Sequence, residues 1–398
     1  MQKLILSFLA LFMLGIITFT GCSVGRQTNQ ESVVTVTLSG WSNLNEKQLL
    51  QQLLKDFEAK NPKIQVKYDA IADEYMDVLK TRLIGDTAAD VFYLDALEAP
   101  ALMIPGVLEP LDNYITPEFD ITDFEPSLLK AFQQDGKTYG LPKDLSTLAL
   151  FYNKKAFQAA GLSQSPKTWS ELREYSQKLT IDKNGDGKIE QYGFCVVPEL
   201  ARQYFMIKAE GGELVNQDGK ATFASQESLK GLQLIIDQYR NDKSAAQPTD
   251  LGTTSGSEIF GQGKAAMVIE GPWLISYLKQ TFPNVEYTTA EVPTVAGKKG
   301  TMAYTVAYVM NKQSKHKPEA WQLISYLTGK EGMKTWTSRG FALPTRKSVA
   351  MLGYDKNPLY SPFIAGASYA TIWQAGENLP VIFRTYARAI LRDGFLSC

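Results

Sequence analysis

GKAAMVIEGPWLI, residues 263–275, runs a short apolar stretch into an unusual ending. Ala265 to Ile269 reads as a buried strand. It stops at Glu270-Gly271-Pro272-Trp273, an acid, a chain-breaking pair and the largest side chain available. A strand that served only a core would end in a polar turn. This one delivers a carboxylate and an indole to its carboxyl end, where open α/β sheets hold their ligands.

The same alternation of elements extends outward in both directions. VVTVTLSGW (33–41) reads as a strand opening into a loop, and Leu49, Leu50, Leu53, Leu54 and Phe57 follow at helical spacing until Asn61-Pro62. KIQVKYDAI (63–71) alternates as a second strand. Val78, Leu79 and Leu83 mark a second helix, and DVFYLD (90–95) is a third strand ending in an acid. This order implies a parallel sheet with right-handed crossovers. The loops after Ser39 and Leu94 then share the ligand edge.

Near residue 140 the chain changes character. Gly140-Leu141-Pro142 reads as a turn, Lys143-Asp144 as a polar crossing, and Leu148 to Tyr152 as a strand followed by a helix. PKTWSELREYSQKL (166–179) opens a helix with Thr168 or Ser170 as its cap. Further helices are expected around 199–210, 226–240, 255–262 and 317–329, with a strand at YTVAYVMN (304–311).

Composition narrows the class. At 398 residues the chain suits two domains, and 44% hydrophobic with 21% charged residues describes a soluble globular protein. A formal charge of −1 without basic blocks argues against nucleic acid as a partner. The single histidine, His316, removes His-based zinc sites, Ser-His-Asp triads and Cys-His dyads.

The N-terminus carries a targeting signal. Lys3 precedes an apolar run from Leu4 to Phe19 and then Thr20-Gly21-Cys22, the plan of a secretory signal. FTGC resembles the bacterial lipoprotein box, which makes residues 1–21 the signal peptide, Cys22 the lipidated residue and 22–32 a flexible tether. An exported protein anchored by lipid, facing the periplasm or the cell exterior, is expected. Cys195 lies in an apolar run and reads as a small buried hydrophobe, and nothing in the sequence pairs it with Cys398.

DVFYLDALEAPALMIPGVLEPLDNYI, YGLPKDLSTLALFYNKKAFQAAGL, PKTWSEL, GKAAMVIEGPW and GFALPTRKSV, in this order over about 33–392, resemble the family 1 bacterial extracellular solute-binding proteins. The maltose-binding protein is the familiar member. The resemblance implies an α/β, two-lobed periplasmic-binding-protein fold of type II kind. Each lobe would be a mainly parallel sheet flanked by helices, with several hinge crossings between them. The crossings would fall near Asp144–Thr147, Ala303–Tyr304 and Leu343–Arg346. One lobe would hold 33–144 with 304–345, and the other 145–303 with 346–398. It also implies a substrate-capturing subunit of an ATP-binding-cassette importer, acting as a monomer beside its permease, with no catalysis. The chain stops at LRDGFLSC, where members usually carry a further helix.

Capture of a carbohydrate needs carboxylates or amides for hydroxyls and flat rings for the apolar sugar faces. Covering about 100 Å² of sugar face contributes roughly 2.5 kcal/mol. The candidates are Trp41 for stacking, Asp95 as an acceptor, Lys143 and Asp144 at the hinge, Glu270 and Trp273 from the second lobe, Tyr304 on the returning strand, and Arg346 in PTRK. Other solutes, a glycerol phosphate ester or a polyamine, and an exported glycoside hydrolase are the rival readings.

DKNGDGKIE (182–190) matches the first half of an EF-hand loop. Asp182, Asn184, Asp186 and Glu190 are the candidate ligands of a structural calcium ion, although the twelfth position is Gly193 rather than Glu.

Overall fold

The computed structural model describes residues 33–372, except 43, 72–73, 217–219, 254 and 351–356. The signal peptide, the tether, Cys22, Cys398 and the closing LRDGFLSC lie outside the described residues.

The strands are β1 (Val34–Gly40), β2 (Ile64–Ala70), β3 (Val91–Asp95), a hairpin of β4 (Gln133–Gln134) and β5 (Lys137–Thr138), β6 (Gly140–Thr147), β7 (Ala149–Asn153), β8 (Tyr192–Cys195), β9 (Ala245–Ala246), β10 (Ala265–Glu270), β11 (Tyr287–Ala290), β12 (Met302–Met310) and β13 (Thr371–Ile372). The helices are α1 (Leu44–Lys60), α2 (Tyr75–Ile84), α3 (Ala99–Met103), α4 (Pro126–Lys130), α5 (Lys154–Ala159), α6 (Trp169–Leu179), α7 (Leu200–Glu210), α8 (Gln226–Ile236), α9 (Gly256–Gly261), α10 (Trp273–Thr281), α11 (Lys317–Thr328), α12 (Lys330–Thr337), α13 (Lys347–Ala350) and α14 (Ser361–Ala367). Among the described residues no helix is long and apolar enough to cross a membrane.

Two sheets organise the chain. The first runs β13-β12-β3-β1-β2, with β6 on the other side of β12, and the second runs β11-β7-β10-β8-β9. β1 pairs in parallel with β2 and β3, as the strand-helix-strand order predicts. The sheets are nevertheless mixed rather than mainly parallel. β12 runs antiparallel to β3, and β7 runs antiparallel to β10 and β11. The reason is directional. β7 and β12 are the strands whose chain arrives from the other half, so each enters its sheet from the shared edge, against the strands already there.

Residues 140–147 form a strand, not the turn and polar crossing expected of them. Gly, Pro, Lys and Asp are poor strand formers, and what recruits them is β12, paired from Val309↔Gly140 to Ala303↔Thr147. The register slips once. Val306 faces Asp144 and Ala307 faces Pro142, which leaves Lys143 as the extra residue of a bulge.

Each sheet is covered by its own apolar stripe. Leu50, Leu53 and Phe57 of α1 are buried against Val36, Leu38 and Phe92, and Leu323 and Ile324 of α11 join them. Leu172, Met206, Ile207 and Leu150 pack around Met267 in the second half. Each such side chain contributes about 1.5–3 kcal/mol on burial. α6 starts where its cap residue predicts, because Thr168 accepts the Glu171 N–H at 3.2 Å and Glu171 returns the bond to the Thr168 N–H. Where the chain passes between halves, Leu145 and Leu343 exchange backbone bonds of 2.9 and 2.7 Å, and Ala303 and Phe363 pack beside them.

Residues just after 346 do not sit wholly with the second sheet. Val349 is buried in the first core and β13 is bonded to β12, while α14 packs with the second half. The anchoring of Arg346, described below, accounts for the first of these.

Candidate functional site

β10 ends at Glu270, which is buried at 2% exposure although it is an acid. Its Oε2 accepts the Trp273 indole N–H at 2.9 Å and an Arg202 Nη1–H at 3.0 Å. Gly271 makes this possible: a Cβ there would stand 2.0 Å from an indole carbon of Trp273. Pro272, with φ −62°, occupies the N-cap of α10. So the ending of β10 fixes an acid, clears room beside it and folds an indole back over the strand end.

Arg202, on α7, is the cation of this group. Its Nε–H reaches Glu199 at 2.9 Å, its Nη1–H also reaches the Ile269 carbonyl at 3.3 Å, and its guanidinium lies 5.8 Å from the Trp273 ring centre. Burial opposes the charge, but the Glu270 and Glu199 carboxylates outweigh it and hold the guanidinium above its ordinary pKa.

The first half supplies an aromatic cage. Lys143 is turned by its bulge into the space between two rings, with Nζ 4.1 Å from the Trp336 centre and 4.9 Å from that of Tyr93. Nζ also donates to Asp144 Oδ2, which accepts the Trp336 indole N–H at 3.1 Å. Trp41 stands edge-on to Tyr75 and Tyr93 at 4.9 and 5.3 Å. Tyr93 reaches this position because residue 40 is glycine; a Cβ there would meet its ring at 2.6 Å.

Asp95 and Tyr304 stand where the two groups meet. Asp95 and Asp144 both face Val306, one from each side, so they share a sheet face about 10 Å apart. Asp95 is half-buried, and its Oδ1 accepts the Leu97 N–H at 2.8 Å. Burial pushes this carboxyl up to about 7 against the pull of the Leu97 amide, and the charges of Glu98 and Asp144 add to the rise. Tyr304 lies edge-on to Trp273 at 6.5 Å, and its buried hydroxyl has no hydrogen-bond partner among the described residues. Burial raises that hydroxyl, with Arg202, Glu199, Glu270 and Asp95 all within electrostatic reach.

Of the eight residues expected from sequence, the structure groups Trp41, Lys143 and Asp144 on one side, Glu270 and Trp273 on the other, and Asp95 and Tyr304 between. Arg346 does not join them. It is 1% exposed, its Nε–H goes to the Thr328 carbonyl at 2.7 Å, its Nη groups to the Asp120 and Phe119 carbonyls at 3.0 and 3.1 Å, and its charge to Asp123 at 3.3 Å. Phe124 and Phe119 flank the guanidinium at 4.2 and 4.7 Å. Sequence reasoning missed Arg202 and Tyr93 and left Trp336 unassigned. Nothing in PELARQYF marks Arg202 as a site residue, because Glu270, the partner that joins it to Trp273, lies 68 residues away.

In the 182–190 loop the carboxylate oxygens of Asp182, Asp186 and Glu190 lie within 4.8 Å of one another. Asp182 already accepts the Gly185 and Gly187 N–H groups at 2.7 and 2.8 Å, and the Asn184 side-chain Oδ1 accepts the Asp186 N–H at 3.0 Å. Bonds from the loop's own amides to these side chains thus hold the turn closed. Cys195 is a buried free thiol whose pKa burial raises.

Residues 41–334 match the bacterial extracellular solute-binding protein family. The chain belongs to that family. A binding protein of Brucella abortus is 30% identical over 343 residues, covering 83% of this chain and 81% of that one. The diacetylchitobiose binding protein DasA of Streptomyces coelicolor is 25% identical over 386 residues, 92% of this chain and 88% of its own. Among solved structures, the substrate-binding protein of a Listeria monocytogenes ABC system in complex with cycloalternan superposes with a TM-score of 0.82, covering 90% of this chain and 94% of that one. At 24% identity that likeness speaks for the two-lobed fold alone. Solute-binding proteins of this family are exported and are not enzymes, so Glu270 and Asp95 are hydrogen-bonding groups rather than an acid and a base.

Proposed function

We propose that this solute-binding protein captures a sugar or oligosaccharide, or a glycosylated polyol, between its two halves and hands it to an ABC permease as a monomer anchored by lipid at Cys22. The observation that carries the reading is the meeting of ring faces and hydrogen-bonding acids from both halves at Tyr304, with Trp41, Tyr93 and Trp336 on one side and Trp273 and Glu270 on the other. Aromatic planes suit the apolar faces of a pyranose, and acids held by Lys143 and Arg202 can still accept from its hydroxyls. The unpartnered Tyr304 hydroxyl supplies a further donor at the junction. A ligand touching both halves binds the closed form better than the open one and shifts the population toward it. The sugar named in the description of DasA is consistent with this ligand class.

The test is a thermal-shift panel of mono- and disaccharides, maltotriose, diacetylchitobiose, polyols, glycerol phosphate and spermidine, with X-ray scattering on any hit. A saccharide that raises the melting temperature and shrinks the radius of gyration supports the reading. A response confined to spermidine or glycerol phosphate moves the protein to another solute class, and turnover of a chromogenic glycoside would make it a hydrolase. Fatty-acid labelling that survives Cys22→Ala would refute the anchor.

A further inference from the structure

Away from the hinge crossings and the ring-and-acid cluster, two side-chain hydrogen bonds among the described residues bridge the halves, and both end on α10. Gln280 Oε1 accepts from Asn45 Nδ2 at the start of α1, and Ser276 Oγ donates to the Arg339 carbonyl at 3.3 Å, just past α12. Trp273, Ser276 and Gln280 are spaced i, i+3 and i+7, so they share one face of α10. Leu274, Ile275 and Leu278 occupy the opposite face and are buried in the second half.

The partners of the two bonds are placed to matter. Asn45 follows the loop that carries Trp41, and Arg339 lies three residues beyond Trp336. Each bond therefore ties the helix bearing the ring of the second half to a segment bearing a ring of the first. α10 is rigid against its own half through its apolar face, so a pull on Ser276 or Gln280 moves Trp273 with it.

We infer that the Ser276–Gln280 edge of α10 is a clasp that stabilises the closed form directly, making these two side chains positioning residues that set ligand affinity without touching the ligand. The inference deepens the capture reading and rests on the same closing motion, but it makes a demand of its own. The bonds exist only when the halves are together, so they contribute to the closed population whether or not a ligand is present. A net contribution of an ordinary exposed hydrogen bond changes that population by about two- to tenfold.

The experiment needs no ligand. In the full-length protein, Asn45→Cys/Gln280→Cys is treated with bismaleimidoethane, and the rate at which positions 45 and 280 become linked is followed by peptide mass spectrometry. This rate reads the closed population. Adding Ser276→Ala removes the remaining bond and is expected to slow linking about two- to tenfold, with an unchanged melting temperature, and Ser276→Thr, which keeps the hydroxyl, is expected to restore the rate. A rate unchanged by Ser276→Ala, or not restored by Ser276→Thr, overturns the clasp. The saccharide panel is scored separately. A rate that responds while no saccharide binds would leave the clasp standing and fail the ligand reading, and a saccharide that binds while the rate ignores Ser276 would do the reverse.

Discussion

Two arginines, the buried Arg346 and the half-buried Arg202, show how alike an architectural cation and a site cation look in one dimension and how different they are in three. Arg346 gives most of its N–H groups to backbone carbonyls of residues 119, 120 and 328, and lies between two phenylalanines. Arg202 gives its own mainly to side-chain carboxylates, Glu199 and Glu270, and lies beside an indole that shares Glu270. The carbonyls that Arg346 binds belong to the backbone and stay where the fold puts them. A carboxylate shared between a guanidinium and an indole keeps lone pairs to offer. The first arrangement ties distant chain segments together, and the second holds a polar surface ready.

The comparison breaks if the two arginines behave alike on removal. Arg346→Met leaves Asp123 without its cation and takes one donor from each of three backbone carbonyls, so it is expected to lower the unfolding free energy by about 3–5 kcal/mol. Denaturant titration checks this, and whatever saccharide response the native protein has should survive below the new melting point. Arg202→Met should cost less stability, about 1.5–3 kcal/mol, because Trp273 still serves Glu270 and Arg202 bonds one backbone carbonyl where Arg346 bonds three. Here the saccharide response should go as well, and calorimetry that finds it intact would place Arg202 with Arg346.

A smaller effect sharpens the role of the strand ending. Gly271→Ala puts a methyl where the Trp273 ring lies, so the ring must swing away from Glu270. The expected loss is about 2 kcal/mol of stacking, roughly thirtyfold in saccharide affinity by calorimetry, with the fold retained.

Asp95 gives a pH signature. Its folded pKa, about 7, lies above the unfolded value of about 4, so the folded state holds the proton more tightly. Its contribution to stability is complete below about pH 4 and declines as pH rises to about 7, after which it is flat. Asp95→Asn removes that decline. The difference in melting temperature between variant and native protein should therefore be near its smallest at pH 4 and grow in favour of the variant up to pH 7. A difference curve flat across that window would show the carboxyl to be well solvated.

The smallest expected effect concerns the 182–190 loop. If the three clustered carboxylates hold calcium, millimolar calcium raises the melting temperature by about 1–2 °C, in line with weak occupancy, and Asp186→Asn abolishes the rise. Equal melting with and without calcium would leave the loop as a turn closed by its own amides.

Much of the fold was written in the chain's local chemistry. The helical spacing of α1 and α2, the alternation of β2 and the short apolar runs of β1 and β3 mark the first five elements, because burial rewards one face of each helix and both faces of a central strand such as β3. Thr168 with Glu171 marks the start of α6 through bonds between neighbours, and Glu270-Gly271-Pro272-Trp273 sets an indole beside an acid for the same reason. What no local pattern contained was any property that depends on a partner far along the chain. β6 is a strand because β12 lies beside it, Lys143 is caged because the register slips against Val306, and Arg202 belongs to the site while Arg346 does not because of which groups lie beside each. Those outcomes turn on hydrogen bonds across tens to hundreds of residues, and such bonds leave no spacing in the sequence; only the folded chain decides them.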